Sequence, residues 1–523
     1  MDRRSFLTLF NGSQGTEYVP ASSLPRPEST GLEAYVPSAN APWDAIRAGH
    51  LLRRTTMLPR WADIGTVLAM SPSAAVDVLL NTSSVPAEPS MANHDTSSEA
   101  GLNNTLIAQL QATWAQDAAT LRKWWSATMR DSGLSIVEKL TMFWSGHFTS
   151  EFLASGSYVL ATLLYRQNKM LRENGLKNFQ DLTFYVTLDG AMLVYLGGNL
   201  NTKGAPNENY AREVMELFTM GLGWYTEGDI HNAARVLTGW KVGQYNNELA
   251  LNGIFNPYFW PADHDTENKQ FLGVTIPARD ATTNTEFLVK KDEIRLLTDT
   301  IFQVRPQAVA KFICTKLYKF FVYSNPAGTD DAVISAMSDL FIQNNFEIKP
   351  VLSALLKSAH FFDNANIGAQ IKTPAEFVIG LERQLALITD VSTSMSPLGQ
   401  LLFDPPNVSG WPGYHDWITT NTFPVRSDLA TSVVASMDDT STMAFIQQFA
   451  NYKDPNGLID SVAALLLPRP LSKDRKDALV GKLLAGAMPN EWSSILLTST
   501  ATAARNMRDV LNTITDLPDF QLC

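Results

Sequence analysis

The sequence predicts a mostly α-helical fold: a multi-helical body with two long loops rich in Pro, Gly and aromatic residues, and at most a small β-excursion. Apolar residues recur at i, i+3, i+4 and i+7 in stretches such as LIAQLQATWAQDAATLRKWWSATM and GSYVLATLLYRQNKMLREN, the period of a helix that buries one face. That period breaks off over 241–290 and 396–426, where Pro, Gly, Asn and aromatic residues replace it. Hydrophobic residues make up 45% and charged residues 18% of the 523 positions, the balance of a chain that folds.

Residues 1–42 read as an N-terminal arm, since Ser, Gly, Pro and Glu dominate 11–40 without periodicity. A main helical domain follows over 43–430. It opens with WDAIRAGHLLRRT and PSAAVDVLLN, crosses a polar loop at 81–104, and runs helical from 105 to 196. The polar stretch 199–240 comes next, then the irregular 241–290, then helices over 291–362 and 373–390. Residues 431–523 form a C-terminal helical segment expected to pack on this body, as in ARNMRDVLNTIT.

A net charge of −11 argues against general nucleic-acid binding, which needs a basic face, and leaves a local basic patch open. No apolar run is long enough to span a membrane. Two cysteines cannot build a disulfide framework or a thiolate zinc site. Cys314 sits in an apolar pattern and reads as a core thiol; Cys523 reads as a free thiol, an intermolecular one, or neither. Arg3 and Arg4 before Ser-Phe-Leu look like the start of a twin-arginine export signal, which implies a periplasmic or extracellular location. The apolar segment after them is short, which keeps a cytoplasmic location as the alternative.

Candidate chemistry concentrates in 199–240. Asn209, Glu213 and Glu216 stand at i, i+4 and i+7 and so share one helix face, with Asn207 placed to cap the helix. Arg212 and Glu216 are spaced to pair. Carboxylates on such a partly apolar helix must be paired, bind a metal, or act as acid and base. His147, among the aromatics of MFWSGHF, is a candidate metal ligand or base, or a packed core histidine. His264 and Asp265 form a loop pair that orients an imidazole or makes a turn. Trp260 and Trp411 lie in the two irregular loops, either lining a groove for a glycan or small molecule or plugging the loops onto the body. His231 reads as a capping or surface residue. No HExxH, GxSxG, P-loop or CxxC motif occurs.

Several longer motifs, AGHLLRRTT (48–56), EKLTMFWSGHF (138–148), GNLNTKGAPNENYAREVMELFTMGLGWYTEGDIHNAARVLTGW (198–240), HDTENKQFLG (264–273), KTPAEFVIGLER (372–383) and GQLLFDPPNVSGWPGYHDWI (399–418), occur in order. On them the chain resembles the bacterial DUF1800 family. It departs from the family pattern at Gly146, where members usually carry Asn before the histidine, and at Gly190, where they usually carry Pro. The resemblance implies an exported or envelope protein acting beside an alkaline-phosphatase or sulfatase-like companion; it identifies no reaction.

Two expectations follow. In the first the protein is a metal-dependent hydrolase or oxidoreductase, with His147, Glu213 and Glu216 holding a divalent metal, His264 and Asp265 completing the site, and Asn209, Arg212, Trp260 and Trp411 binding substrate. In the second it is a non-catalytic binding or assembly module, and the polar stretch is a buried Arg-Glu-Asn network that fixes helix packing.

Overall fold

A computed structural model describes residues 27–83, 85–91, 104–154, 157–242, 257–278 and 287–523. Arg3 and Arg4 lie outside them. The fold is mostly α, as the helical period predicts. The first helices are α1 (Ala45–Thr55), α2 (Trp61–Leu68), α3 (Pro72–Asn81), α4 (Asn104–Asp131) and α5 (Val137–His147). After a hairpin of β1 (Leu153–Ala154) and β2 (Ser157–Tyr158) come α6 (Ala161–Asn174), α7 (Phe179–Thr187), α8 (Gly190–Tyr195) and α9 (Glu208–Met215). A π-helical turn, Glu216–Met220, continues α9, and α10 (Glu227–Val236) follows.

The irregular 241–290 region holds the β-excursion. Strand β3 (Trp240–Val242) pairs antiparallel with β4 (Pro257–Phe259), and β5 (Lys269–Phe271) with β6 (Val274–Ile276). Pairs this short are not stable alone and persist by packing on helices. Helices α11 (Phe287–Val304), α12 (Pro306–Phe321), α13 (Thr329–Gln343), α14 (Ile348–Leu356) and α15 (Pro374–Leu385) follow. The C-terminal set is α16 (Thr422–Ala435), α17 (Asp439–Gln447), α18 (Pro455–Leu466), α19 (Lys473–Leu484), α20 (Trp492–Thr498) and α21 (Thr500–Thr515). One continuous apolar core reaches from Ala48 to Phe520. Among the described residues no helix is long and apolar enough to cross a membrane.

Two helices matter most for the site. Helix α15 begins with Pro374 at its first position and a capping box in which Thr373 and Glu376 satisfy each other's backbone amides. Every residue from Pro374 to Leu385 is buried, so Glu376 enters the interior with its helix. Helix α1 buries everything from Arg47 to Thr55 and ends on Arg53 and Arg54. These two arginines reach the ends of other helices. Arg53 Nη2 donates to the carbonyls of Ala464, Leu465 and Leu467 at the end of α18. Arg54 donates to those of Phe320 and Phe321 at the end of α12. Guanidinium groups thus satisfy carbonyls that the helices leave unpaired, at the negative end of each dipole.

The charged residues of the EKLTMFW motif tie helices together. Glu138 on α5 accepts from Arg172 Nε at 2.6 Å and Nη2 at 3.0 Å, and from Trp125 Nε1 at 3.0 Å. The next residue, Lys139, forms a close ion pair with Glu376. All of these groups are buried, and removing one partner from such a pair costs about 3–5 kcal/mol.

Candidate active site

A cavity of about 430 Å³ opens between α5, α12, the start of α15 and the loop 409–417. His147 ends α5 and lines it, beside Lys316 and Lys319 of α12, Arg54, Glu376 and the rings of Trp411, Tyr414 and Trp417. The loop comes close because two glycines meet. Gly410 has φ +92°, and a Cβ there would stand 2.3 Å from the Gly146 carbonyl oxygen. Gly146 in turn leaves room for the Trp411 ring, 3.6 Å from where its own Cβ would be. Thr149 Oγ1 donates to the Val408 carbonyl at 2.6 Å and fixes the loop to the end of α5.

Both nitrogens of His147 have partners. Nε2 lies 3.0 Å from the Phe218 carbonyl, which can only accept, so this nitrogen carries the proton. Nδ1 then accepts from Lys316 Nζ at 3.0 Å. Burial first, and the Lys316 charge second, hold the His147 imidazole far below its ordinary range and so neutral. Lys316 also donates to the Leu217 carbonyl at 3.2 Å and stands 4.5 Å from the Phe312 ring centroid. The carbonyls of Leu217 and Phe218 belong to the π-turn, whose register leaves them facing the site. Burial, helped by Lys319, pushes the Lys316 amine down to about 8.

Glu376 behaves in the opposite way. Burial alone would raise its carboxyl, but Lys139 and Arg54 outweigh burial and hold it down at about 2. Arg54 Nη1 lies 3.6 Å from Glu376 Oε1 and 2.7 Å from Cys523 Sγ. Cys523 is therefore a buried thiol within the fold, and burial raises its pKa; Cys314 is also buried, as its apolar neighbours predict.

The residues of 199–240 do not converge on this cavity. Asn207 caps α9 as expected, its side chain accepting from the Tyr210 amide at 3.1 Å. Glu213 is half-buried; burial and then Glu216 raise its carboxyl. Glu216 accepts from the Tyr225 hydroxyl at 2.8 Å. Arg212 pairs with Glu227 at 2.9 Å, not with Glu216, because α10 brings that carboxylate across. His231 pairs with Glu208 on the surface at 2.9 Å, and Asn209 is exposed.

The expected metal set of His147, Glu213 and Glu216 does not assemble. His147 has both nitrogens engaged and Glu216 is held by Tyr225. Among the described residues no group of three or more His, Cys, Asp or Glu is placed to hold a metal ion. The His264–Asp265 pair does not join His147 either. His264 Nδ1 donates to the Thr238 carbonyl at 2.8 Å, and Nε2 lies 3.0 Å from Glu293 Oε2. Lys269 meets the other oxygen of Glu293 at 2.6 Å. Asp265 takes Arg235 at 2.7 Å and 3.1 Å, and that pair outweighs burial to keep its carboxyl low. These contacts clamp the β5–β6 hairpin onto α10 and α11. Trp260 is 48% exposed next to that hairpin region and is not part of the cavity wall, whereas Trp411 is.

The family model described as "Protein of unknown function (DUF1800)" matches residues 50–522. The chain belongs to the DUF1800 family. No curated protein and no solved structure matches it. The matched span of this DUF1800 chain includes every cavity residue and continues past residue 430 through the C-terminal helices. Lys316 and Glu376 carry one mark in the sequence, a charged residue inside a largely apolar helical pattern, whereas Arg54 shares its helix with Arg47, His50 and Arg53. Arg54, His147, Glu376 and Trp411 come from four separate motifs, AGHLLRRTT, EKLTMFWSGHF, KTPAEF and NVSGWPGYHDW, which the fold brings to one place.

Proposed function

We propose that this protein is an enzyme acting on a small organic molecule in the cavity beneath loop 409–417, with the Lys316 amine as its reactive group. One observation carries the reading. Lys316 Nζ is fixed by two acceptors, His147 Nδ1 and the Leu217 carbonyl, with no carboxylate among its described partners, and it lines the cavity. Such an amine loses its proton near neutral pH without leaving its place. Two of its tetrahedral positions are then taken, and the lone pair is available to remove a proton from a bound ligand. His147 acts as a positioning residue, since its tautomer is set by Phe218 and it receives an N–H from Lys316 in either charge state. The ring of Trp411 lines the cavity, and its indole Nε1 is buried without a hydrogen-bond partner.

The polar stretch 199–240 supports the same reading through its backbone, since the π-turn supplies the carbonyls that hold His147 and Lys316. Its carboxylates we assign to helix packing. The donor set does not fit a metal at His147, and no step is assigned to one. The exported location and the phosphatase-like companion belong to this proposal through the family resemblance, and cell fractionation and a pull-down decide them.

Competitive acetylation of the full chain with trace acetic anhydride, read lysine by lysine by peptide mapping from pH 6 to 10, tests the reading. Lys316 is expected to titrate near the value of about 8, well before the surface lysines. A Lys316 that stays unreactive, or titrates with the surface lysines, would falsify it.

A further inference from the structure

The chain carries a net charge of −11, yet the surroundings of the cavity are strongly cationic. On the wall itself stand Arg54, Lys316 and Lys319, against the single carboxylate of Glu376. Glu376 is already neutralised by its close pair with Lys139. Behind the same wall lie Arg53, Lys372 and Arg426, all buried. Lys372 Nζ has no hydrogen-bond partner and rests 3.7 Å from the Phe520 ring centroid. Arg53 Nε and Nη1 and Arg426 Nε are also unpartnered. Burial pushes the Lys372 amine down to about 7, so the lasting charge behind the wall is that of Arg53 and Arg426. Buried positive charge in this excess, behind low-dielectric walls, focuses a positive potential into the cavity mouth.

The other lining groups are flat and apolar: the rings of Phe143, Phe320 and Trp411. A volume of about 430 Å³ is in the range of sites for small molecules. Resting on the active-site reading above, we infer that the ligand is a small organic oxyanion, a carboxylate or phosphate monoester with a planar apolar body. Its oxyanion lies against Lys319 and Arg54, and its body lies along Phe143, Phe320 and Trp411 with the Lys316 amine beside it.

Benzoate, phenyl phosphate and the neutral benzamide, each at millimolar concentration, distinguish the possibilities on the full chain. Binding is read by calorimetry and by protection of Lys316 in the acetylation experiment. The two anions are expected to bind at least tenfold more tightly than benzamide, and to weaken as salt is raised. The better of the two says whether the natural group is a carboxylate or a phosphate. Lys319→Gln changes an exposed side chain, so the fold is kept; it is expected to weaken the anions about three- to tenfold and leave benzamide unchanged. Equal binding of anions and benzamide, no binding of any probe, or anion binding indifferent to Lys319→Gln overturns the inference. If Lys316 still titrates early in that case, the amine reading stands and only the ligand class is lost. If Lys316 does not titrate early, the amine reading itself has failed.

Discussion

Two polar regions of this molecule differ in how their groups are satisfied. In the stretch around α10 and the β5–β6 hairpin, the charged groups singled out, Glu213 apart, have side-chain partners. Arg212 has Glu227, Glu216 has Tyr225, His231 has Glu208, Asp265 has Arg235, and His264 and Lys269 share Glu293. At the cavity, Lys316 is fixed from behind and lines open volume in front. Lys316 is held by an imidazole and a carbonyl, and the Trp411 indole N–H has no partner. A dense run of charge in sequence therefore marks a lock as readily as a site. A reactive position is better marked by a group whose partners fix it and leave it a free face.

Substitutions can break or sharpen this contrast. The largest effect is expected at Glu376→Ala, which strands Lys139 and Arg54 inside the core. A loss of about 3–5 kcal/mol in denaturant unfolding is expected. A change below about 1 kcal/mol would mean the two cations have other counter-charges. The pH dependence follows the same carboxylate. Its folded pKa of about 2 lies below the 4.5 of an ordinary glutamate, so the unfolded chain takes up the proton first as pH falls. The stabilisation is complete above about pH 4.5 and is lost progressively toward pH 2. Acid unfolding of Glu376→Gln should lack this component.

His264→Ala removes one partner of Glu293 and is expected to cost about 1–3 kcal/mol. Lys316 should keep its early titration in that variant, because the two regions do not share side chains. A shift of Lys316 there would erase the distinction between lock and site. Gly410→Ala places a Cβ onto the Gly146 carbonyl at positive φ, with an expected cost of about 1–3 kcal/mol. It should also displace the loop and change the Trp411 fluorescence. The smallest effect is expected at Arg212→Ala. Its partner Glu227 is 77% exposed, and pairs of this kind contribute less than about 1 kcal/mol.

Much of the fold can be read in the chain because helices follow the period of apolar residues. The α9 start at Asn207, the buried Cys314 and the strands within 241–290 all follow from local chemistry. The site is less legible. The helix face carrying Asn209, Glu213 and Glu216 is real, but a shared face says nothing about what stands opposite. Tyr225 and Glu227 arrive from the next turn and helix and take up Glu216 and Arg212. Lys316 is passed over because a lysine in AKFICTKLYKFFVY reads as a solvated position on an amphipathic helix. Its burial depends on Phe312, His147 and a π-turn, and spacing does not foretell that turn. Of the histidines, His147 lines the cavity, but as the acceptor that positions a lysine and with no nitrogen left for a metal.

The central claim is that Lys316 is the amine on which this site acts, held against a neutral His147. NMR titration of the full chain carrying ¹⁵N-labelled lysine and histidine observes both groups directly. The account predicts a Lys316 Nζ resonance that titrates near 8 and a His147 that stays neutral, with its proton on Nε2, down to the acid limit of the fold. A Lys316 that titrates at 10 or above, or a His147 that protonates between pH 6 and 7, would contradict it.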